Sequence, residues 1–305
     1  MKPSCPTPSF AASKSANTRS TTMNIGRRET LAAAAGLALV VGSKAQATKS
    51  LNLDLTKTVD SYRAYTKMRG AGEGKLALWW YTGTVWLKVE DKIPEQVLTI
   101  DGFSFQRLSI KPDGSLVQLM AEAGYFKDAE GRAIADTWVN PFNNETCKPR
   151  HYKSNQTIIA KPDTSLTGEE GGRMDGRNMK GRIGPVSVNG DQVWIPENFG
   201  ARFVLPTRDN IDPKEDVGGV LANASLASFT AKLSDIQNAE PESAPSSMHF
   251  QSLGGFLPWM RMGKTLGAMN WQLFGHKVAS VDAIAAPLRA RLEKDYPGWL
   301  KDPGI

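Results

Sequence analysis

Between His249 and His276 the chain sets aromatic and thioether side chains among glycines and closes both ends with imidazoles, a combination that could run acid/base chemistry in apolar surroundings. A histidine near its ordinary pKa can move one proton at neutral pH, a tyrosine hydroxyl can donate or hold another, and an arginine can fix a carboxylate or phenolate by paired hydrogen bonds. On these grounds His276 and His249 are the expected acid and base, Tyr81 a second proton donor and Arg261 the anion anchor. Trp79, Trp259, Met260 and Trp271 are the expected apolar wall, and Arg150-His151 a weaker substrate-binding pair. From Ser243 to Val281 the chain has no Asp or Glu but keeps Arg261, Lys264 and Lys277, so a cavity lined by this run suits an aromatic ligand carrying negative charge. The competing reading is structural. Aromatic residues between glycines also build barrel cores at tight bends, and an isolated histidine is commonly a hydrogen-bonded group beside the core.

Cofactor chemistry has no sequence support. There is no Gly-x-Ser-x-Gly elbow, His-Glu-x-x-His helix, cysteine pair or dinucleotide fingerprint. A metal site would have to gather His151, His249 and His276, the chain's three histidines, so no cofactor and no metal are expected.

The elements that must position these residues are mostly strands. Asp54 to Arg69 reads as an amphipathic helix, with Leu55, Val59, Tyr62 and Tyr65 on one face, Gly70 as its stop, and Arg63, Lys67 and Arg69 in solvent. Leu76 to Val89 is apolar on both alternating sets, which fits one strand covered on both faces or two joined at Thr82-Gly83. Gln96 to Ile110 and Leu116 to Phe126 form a hairpin across Lys111-Pro112-Asp113-Gly114. Arg132 to Val139 and Thr157 to Ala160 are further strands, and Thr164 to Gly184, with Arg173, Arg177, Lys180 and Arg182, reads as a polar surface loop. Asn189-Gly190 marks another hairpin, followed by a strand at Phe199 to Leu205. Ala222 to Leu233 reads as a short helix, and a last helix begins near Pro287 and stops at Pro297. The sum is a mainly β chain, an antiparallel closed barrel of lipocalin type or a sandwich, with flanking N- and C-terminal helices.

The first 47 residues read differently. Arg27-Arg28, the apolar run Leu31 to Gly42 and the small-residue site Ala45-Gln46-Ala47 form a twin-arginine export signal, with Met23 as an alternative start. The apolar run spans 12 residues, against the roughly 20 a membrane-spanning helix needs. A periplasmic protein, 48–305, exported folded by the twin-arginine machinery and without a membrane span, is therefore expected. Six of the 37 basic and one of the 31 acidic residues lie before Thr48, which leaves 31 and 30 and a net charge of +1. That balance argues against a nucleic-acid partner. Cys147 is the one cysteine after the leader, so no internal disulfide is available to the domain.

Several blocks carry a family resemblance. Tyr62 to Gly70, Trp79-Trp80-Tyr81-Thr82-Gly83, Asn140-Pro141-Phe142, Gly184-Pro185, Val193-Trp194-Ile195-Pro196, Leu257-Pro258-Trp259-Met260-Arg261-Met262-Gly263 and Gly275-His276-Lys277 resemble the bacterial domain-of-unknown-function family 1838. The chain departs from that pattern at Pro185-Val186-Ser187, where relatives carry an aromatic after the proline. The resemblance implies an exported or soluble β-rich protein and brings no catalytic residues with it. The residues themselves point to a cofactor-independent lyase, decarboxylase or isomerase for an aromatic or phenolic small molecule. The alternative is a periplasmic lipocalin-like carrier of a hydrophobic molecule.

Overall fold

The computed structural model describes residues 49–171, 177–205 and 211–305, so the leader and Arg173 lie outside the described residues. Helix α1 (Thr58–Arg69) comes first, then β1 (Ala77–Val89), β2 (Glu95–Ile110), β3 (Leu116–Lys127), β4 (Trp138–Val139), β5 (Thr146–Cys147), β6 (Tyr152–Ala160), β7 (Ser165–Gly168), β8 (Met179–Ile183) and β9 (Ser187–Asn189). They are followed by β10 (Gln192–Val204), β11 (Val220–Lys232), α2 (Leu233–Gln237), β12 (Ser246–Gly254), β13 (Gly267–Val278) and α3 (Ala286–Asp295). The order β11-β12-β13-β1-β2-β3-β6-β7-β8-β10, with β10 pairing back onto β11, closes an antiparallel barrel of 10 strands. Strand β9 adds to β10 outside the ring, and β4 with β5 makes a separate small ribbon. Closure removes the open sheet edges, and a ring of this size leaves interior space beyond what its own side chains fill.

Three apolar clusters account for the packing. One end is filled by α1, whose Tyr62, Tyr65 and Met68 pack against Trp79, Leu108, Val193, Ile195 and Phe229. The other end is filled by Val85, Leu87, Leu98 and Ile100 together with Phe256, Trp259, Met260 and Met262 of the β12–β13 connection. Outside the ring, Leu288 and Leu292 of α3 cover Phe103, Phe105, Ala121, Ala123 and Tyr125. Strands β2 and β3 are thus buried on both faces, which is why their sequences run apolar without clean alternation.

Helix α1 ends against the barrel wall. A Cβ at Gly70 would come 2.7 Å from the Thr66 carbonyl oxygen, and the helix stops there. Its terminal carbonyls, which have no partner within the helix, are taken by strand side chains. Lys277 Nζ donates to Lys67 O (2.9 Å) and Gly70 O (2.7 Å), and Trp79 Nε1 donates to Arg69 O (2.8 Å).

Four expectations are corrected. Lys67 and Arg69 are buried, whereas Arg63 is exposed, because the last turn of α1 enters the barrel end instead of lying on it. Ala222 to Lys232 belongs to β11; alanine-rich text resembles a helix, but here the small side chains of one alternating set leave room for the helix and the interior, so tertiary packing overrides propensity. The stretch Thr164 to Gly184 contributes β7 and β8 to the ring instead of a plain loop. Phe199 to Val204 is no separate strand, since β10 runs on unbroken from Gln192.

Replacing Lys277 by Met keeps the stem's bulk but removes one of the two donors from each of two helix-end carbonyls, leaving Lys67 O with the Ala244 backbone N–H and Gly70 O with the Ser243 hydroxyl. Equilibrium urea unfolding should then show a loss of about 1 kcal/mol; an unchanged midpoint would mean that Lys277 does not hold the helix end.

Candidate functional site

Between the two filled ends lies a cavity of about 910 Å³, within the range of small-molecule sites. Phe126, Phe199, Phe229, Phe250, Trp79, Trp259, Trp271, Met120, Met248 and Met269 supply its apolar wall. The lining reaches the exposed residues Arg150, Lys153, Asn155 and Glu169. There β6 loses its neighbour: the pairing with β7 covers only Ile158 to Ala160, so Tyr152 to Gln156 have a ladder partner on the β3 side alone among the described residues.

Polar side chains gather on one part of this wall. Arg69 enters from the end of α1; its Nη1 donates to Glu197 of β10 at 2.5 Å and to the Tyr65 hydroxyl, and its Nε donates to Gln106 of β2 at 2.9 Å. The Tyr65 hydroxyl also donates to Glu197. With its amide oxygen turned to the guanidinium, Gln118 of β3 accepts from Nη2 at 2.9 Å. The Phe229 ring lies 4.5 Å below the guanidinium carbon. Arg69 and Glu197 are 6% and 5% exposed, so this is an ion pair taken out of water and held by neutral donors and acceptors on every side.

A second carboxyl stands beside it. Glu122 of β3 lines the cavity, is only partly covered, and stands beside the Tyr81 hydroxyl of β1, which donates to the Ala123 carbonyl oxygen at 3.4 Å. Burial pushes its carboxyl up to about 7, against the lowering effects of the Tyr81 hydroxyl and the Arg69 charge. Burial raises Glu197 as well, and its carboxyl is engaged by the guanidinium 2.5 Å away and by the Tyr65 hydroxyl. Tyr81 is raised well above its ordinary value by burial and then by the neighbouring Glu122, and it remains a proton donor at all physiological pH. Glu122 is therefore the group that can gain or lose a proton near neutrality while facing the cavity.

Backbone geometry makes this contact possible. Tyr81 pairs with Gly102, and Gly102 with Gly124, across β1, β2 and β3. A Cβ on Gly102 would come 2.0 Å from the Tyr81 ring, and one on Gly124 would come 2.7 Å from its hydroxyl oxygen. The two glycines let the ring lie flat across the sheet and deliver its hydroxyl to Glu122, two residues before Gly124 on the same inner face.

The residues expected from sequence divide. Tyr81, Trp79, Trp259, Trp271, Arg150 and His151 line the cavity. Met260 is fully buried in the packing that fills one end, not on the cavity wall. His249 and His276 are exposed on the outside of the ring, His249 against Phe274 and His276 against Trp80. Strand alternation turns them outward, since it is Met248, Phe250 and Leu273 that face in, so neither imidazole reaches the cavity that Glu122 and Tyr81 share. Arg261 sits in the β12–β13 connection in a left-handed conformation (φ 57°) and is held by Glu145, Asp212 and Glu215, so its charge is spent on the rim. His151 accepts the Phe126 backbone N–H at its Nδ1 (3.2 Å), which places its proton on Nε2, 3.9 Å from Asp136; burial lowers its pKa and keeps it neutral. The three histidines do not converge, and among the described residues no three His, Cys, Asp or Glu side chains group as metal ligands.

Arg69, Gln106, Gln118, Glu122 and Glu197 were not expected at the site. A signal for the carboxyls exists: Glu197 occupies an apolar phase, Val193, Ile195, Glu197, Phe199, and Glu122 shares its phase with Met120 and Phe126. A family model described as "Protein of unknown function (DUF1838)" matches residues 74–304. No curated protein matches the chain.

The raised Glu122 carboxyl makes stability depend on pH. The folded protein holds this proton more tightly than the unfolded chain, so the contribution is whole below the unfolded value of 4.5 and is lost as pH rises through about 7. Burial sets this balance, opposed by Tyr81 from β1 and Arg69 from α1; Glu197 of β10, paired to Arg69, is the other carboxyl on the covered wall. Glu122→Gln removes the component. Relative to wild type, its melting temperature should therefore rise between about pH 4 and about pH 8, and parallel profiles would show that Glu122 does not titrate in this window.

Proposed function

We propose a function from the site itself, because the chain belongs to the DUF1838 family and that family's description names no activity: the protein is a cofactor-independent acid/base enzyme, a lyase or isomerase, acting on an aromatic or phenolic small molecule inside the barrel. The observation that carries this reading is the Glu122 carboxyl, poised near neutrality on the wall of an aromatic-lined cavity beside the Tyr81 hydroxyl. A base with a pKa near the working pH exchanges protons with substrate most effectively, and a phenolic hydroxyl beside it can hold the oxygen on which charge develops. Glu122 is the acid/base, Tyr81 the hydrogen-bond donor, and Trp79, Trp259 and Trp271 the surfaces against which an aromatic ring packs. Arg69 and Glu197 act as positioning residues, since each is engaged by protein partners. In this reading the twin-arginine leader at Arg27-Arg28 delivers the folded barrel to the periplasm.

The test is incubation of the purified protein with a pool of aromatic acids, ketones and phenolic dimers, without added cofactor and with a chelator, followed by mass spectrometry and chromatography. A decarboxylated or rearranged product is expected. Glu122→Gln should lower turnover about 100-fold or more, whereas His249→Ala and His276→Ala should leave it within about twofold, as surface changes do. Compounds that co-purify unchanged would make the barrel a carrier, and turnover independent of Glu122 would remove the assignment.

A further inference from the structure

The charges inside the barrel say more about the ligand than its volume does. Arg69, Glu122 and Glu197 are the charged groups on the covered part of the wall; the other cations lining the cavity, Arg150 and Lys153, are exposed. Arg69 is the one cation that a ligand carboxylate could meet in the interior, and it is engaged on every nitrogen by Glu197, Tyr65, Gln106 and Gln118, with the Phe229 ring against its face. A carboxylate entering here would leave water without a free cation to receive it, and would stand near Glu122 and Glu197, two groups that already compete for positive charge. An uncharged molecule meets none of these penalties. What the wall does offer it is the Tyr81 hydroxyl and the Glu122 carboxyl side by side, one a donor for an oxygen and the other an acceptor for a proton.

Resting on the acid/base reading above, we infer that the substrate is an uncharged aromatic carbonyl compound and that the reaction relocates a proton next to its carbonyl group instead of expelling carbon dioxide. The Glu122 carboxylate takes the proton from the carbon adjacent to the carbonyl. The C–H bond breaks, an O–H bond forms on Glu122, and the electron pair moves onto the carbonyl oxygen, to which the Tyr81 hydroxyl turns its one proton from the Ala123 carbonyl. The Glu122 acid then returns the proton to the same carbon or to a conjugated one, the pair leaves the oxygen, and an isomer is released with Glu122 restored to its starting form. Atoms and electrons balance without an oxidant or a second substrate.

Two compounds of nearly equal size separate the possibilities: 2-acetylnaphthalene, whose methyl protons are acidified by its carbonyl, and 2-naphthoic acid, which is ionised at neutral pH. Binding of each to the full-length protein is read by quenching of tryptophan fluorescence, and exchange of the methyl protons by proton NMR in deuterated buffer near neutrality. The ketone should bind about tenfold tighter than the acid or better, a difference of about 1.4 kcal/mol. The protein should exchange its methyl protons faster than buffer does, and Glu122→Gln should abolish the exchange while its affinity for the ketone stays within about threefold, which also shows that the variant is folded. An acid that binds as tightly as the ketone overturns the inference about substrate class, and leaves the acid/base reading standing if Glu122→Gln still stops proton exchange. A ketone that binds tightly but shows no exchange above buffer overturns both the proton relocation and the acid/base reading, and makes the barrel a carrier of neutral ligands.

Discussion

The constraint on which the rest of the structure depends is the burial of the last turn of α1 in the barrel end. A guanidinium taken out of water cannot stand unpaired, and Arg69 sits at that turn. Its presence inside the ring requires Glu197, and the pair together require Tyr65, Gln106 and Gln118 to satisfy what remains. The helix end that carries Arg69 needs donors for its own carbonyls, which β1 and β13 supply through Trp79 and Lys277. One helix is thereby tied to five strands distributed around the barrel, β1, β2, β3, β10 and β13. A buried ion pair of this kind adds little net stability over an apolar replacement, but removing one partner leaves a charge stranded, so the set stands or falls together.

This arrangement decides the chemistry of the neighbouring carboxyl. With Arg69 committed to Glu197, Glu122 feels the positive charge only at a remove, and burial dominates its proton affinity. Tyr81 completes the contact, because Gly102 and Gly124 give its ring a path across the sheet that a larger residue at either position would block.

The cavity exists because both barrel ends are filled without filling the middle. Helix α1 occupies one end and the Leu257 to Met262 segment the other, and α3 covers β2 and β3 from outside. The described chain contains no helix long and apolar enough to cross a membrane. The exterior of β12 and β13 carries His249, Phe274 and His276, all exposed, Phe274 to 62%.

Local rules were enough for much of this. Period-two text, turn residues at Gly114 and Gly190, and a long antiparallel series narrowed the fold to a closed β-barrel or a sandwich with helices near the two chain termini, because strand alternation and positive-φ glycines are properties of the chain itself, and the pairing of β10 with β11 makes it the barrel. Tyr81 and the tryptophans of the wall were legible for the same reason, since large aromatic residues in strands go where apolar surface is buried. The facing of His249 and His276 was not, because in strands with apolar residues on both alternating sets the phase that faces inward is set by the partner strands and the barrel's curvature. Nor was the depth of Arg69: a basic residue in the last turn of an amphipathic helix is as suited to solvent as to a barrel interior, and only the docking of that turn chooses between them. The proton affinity of Glu122 depends on its burial and on Arg69 and Tyr81 from two other elements, an environment that has no counterpart along the sequence until the ring closes.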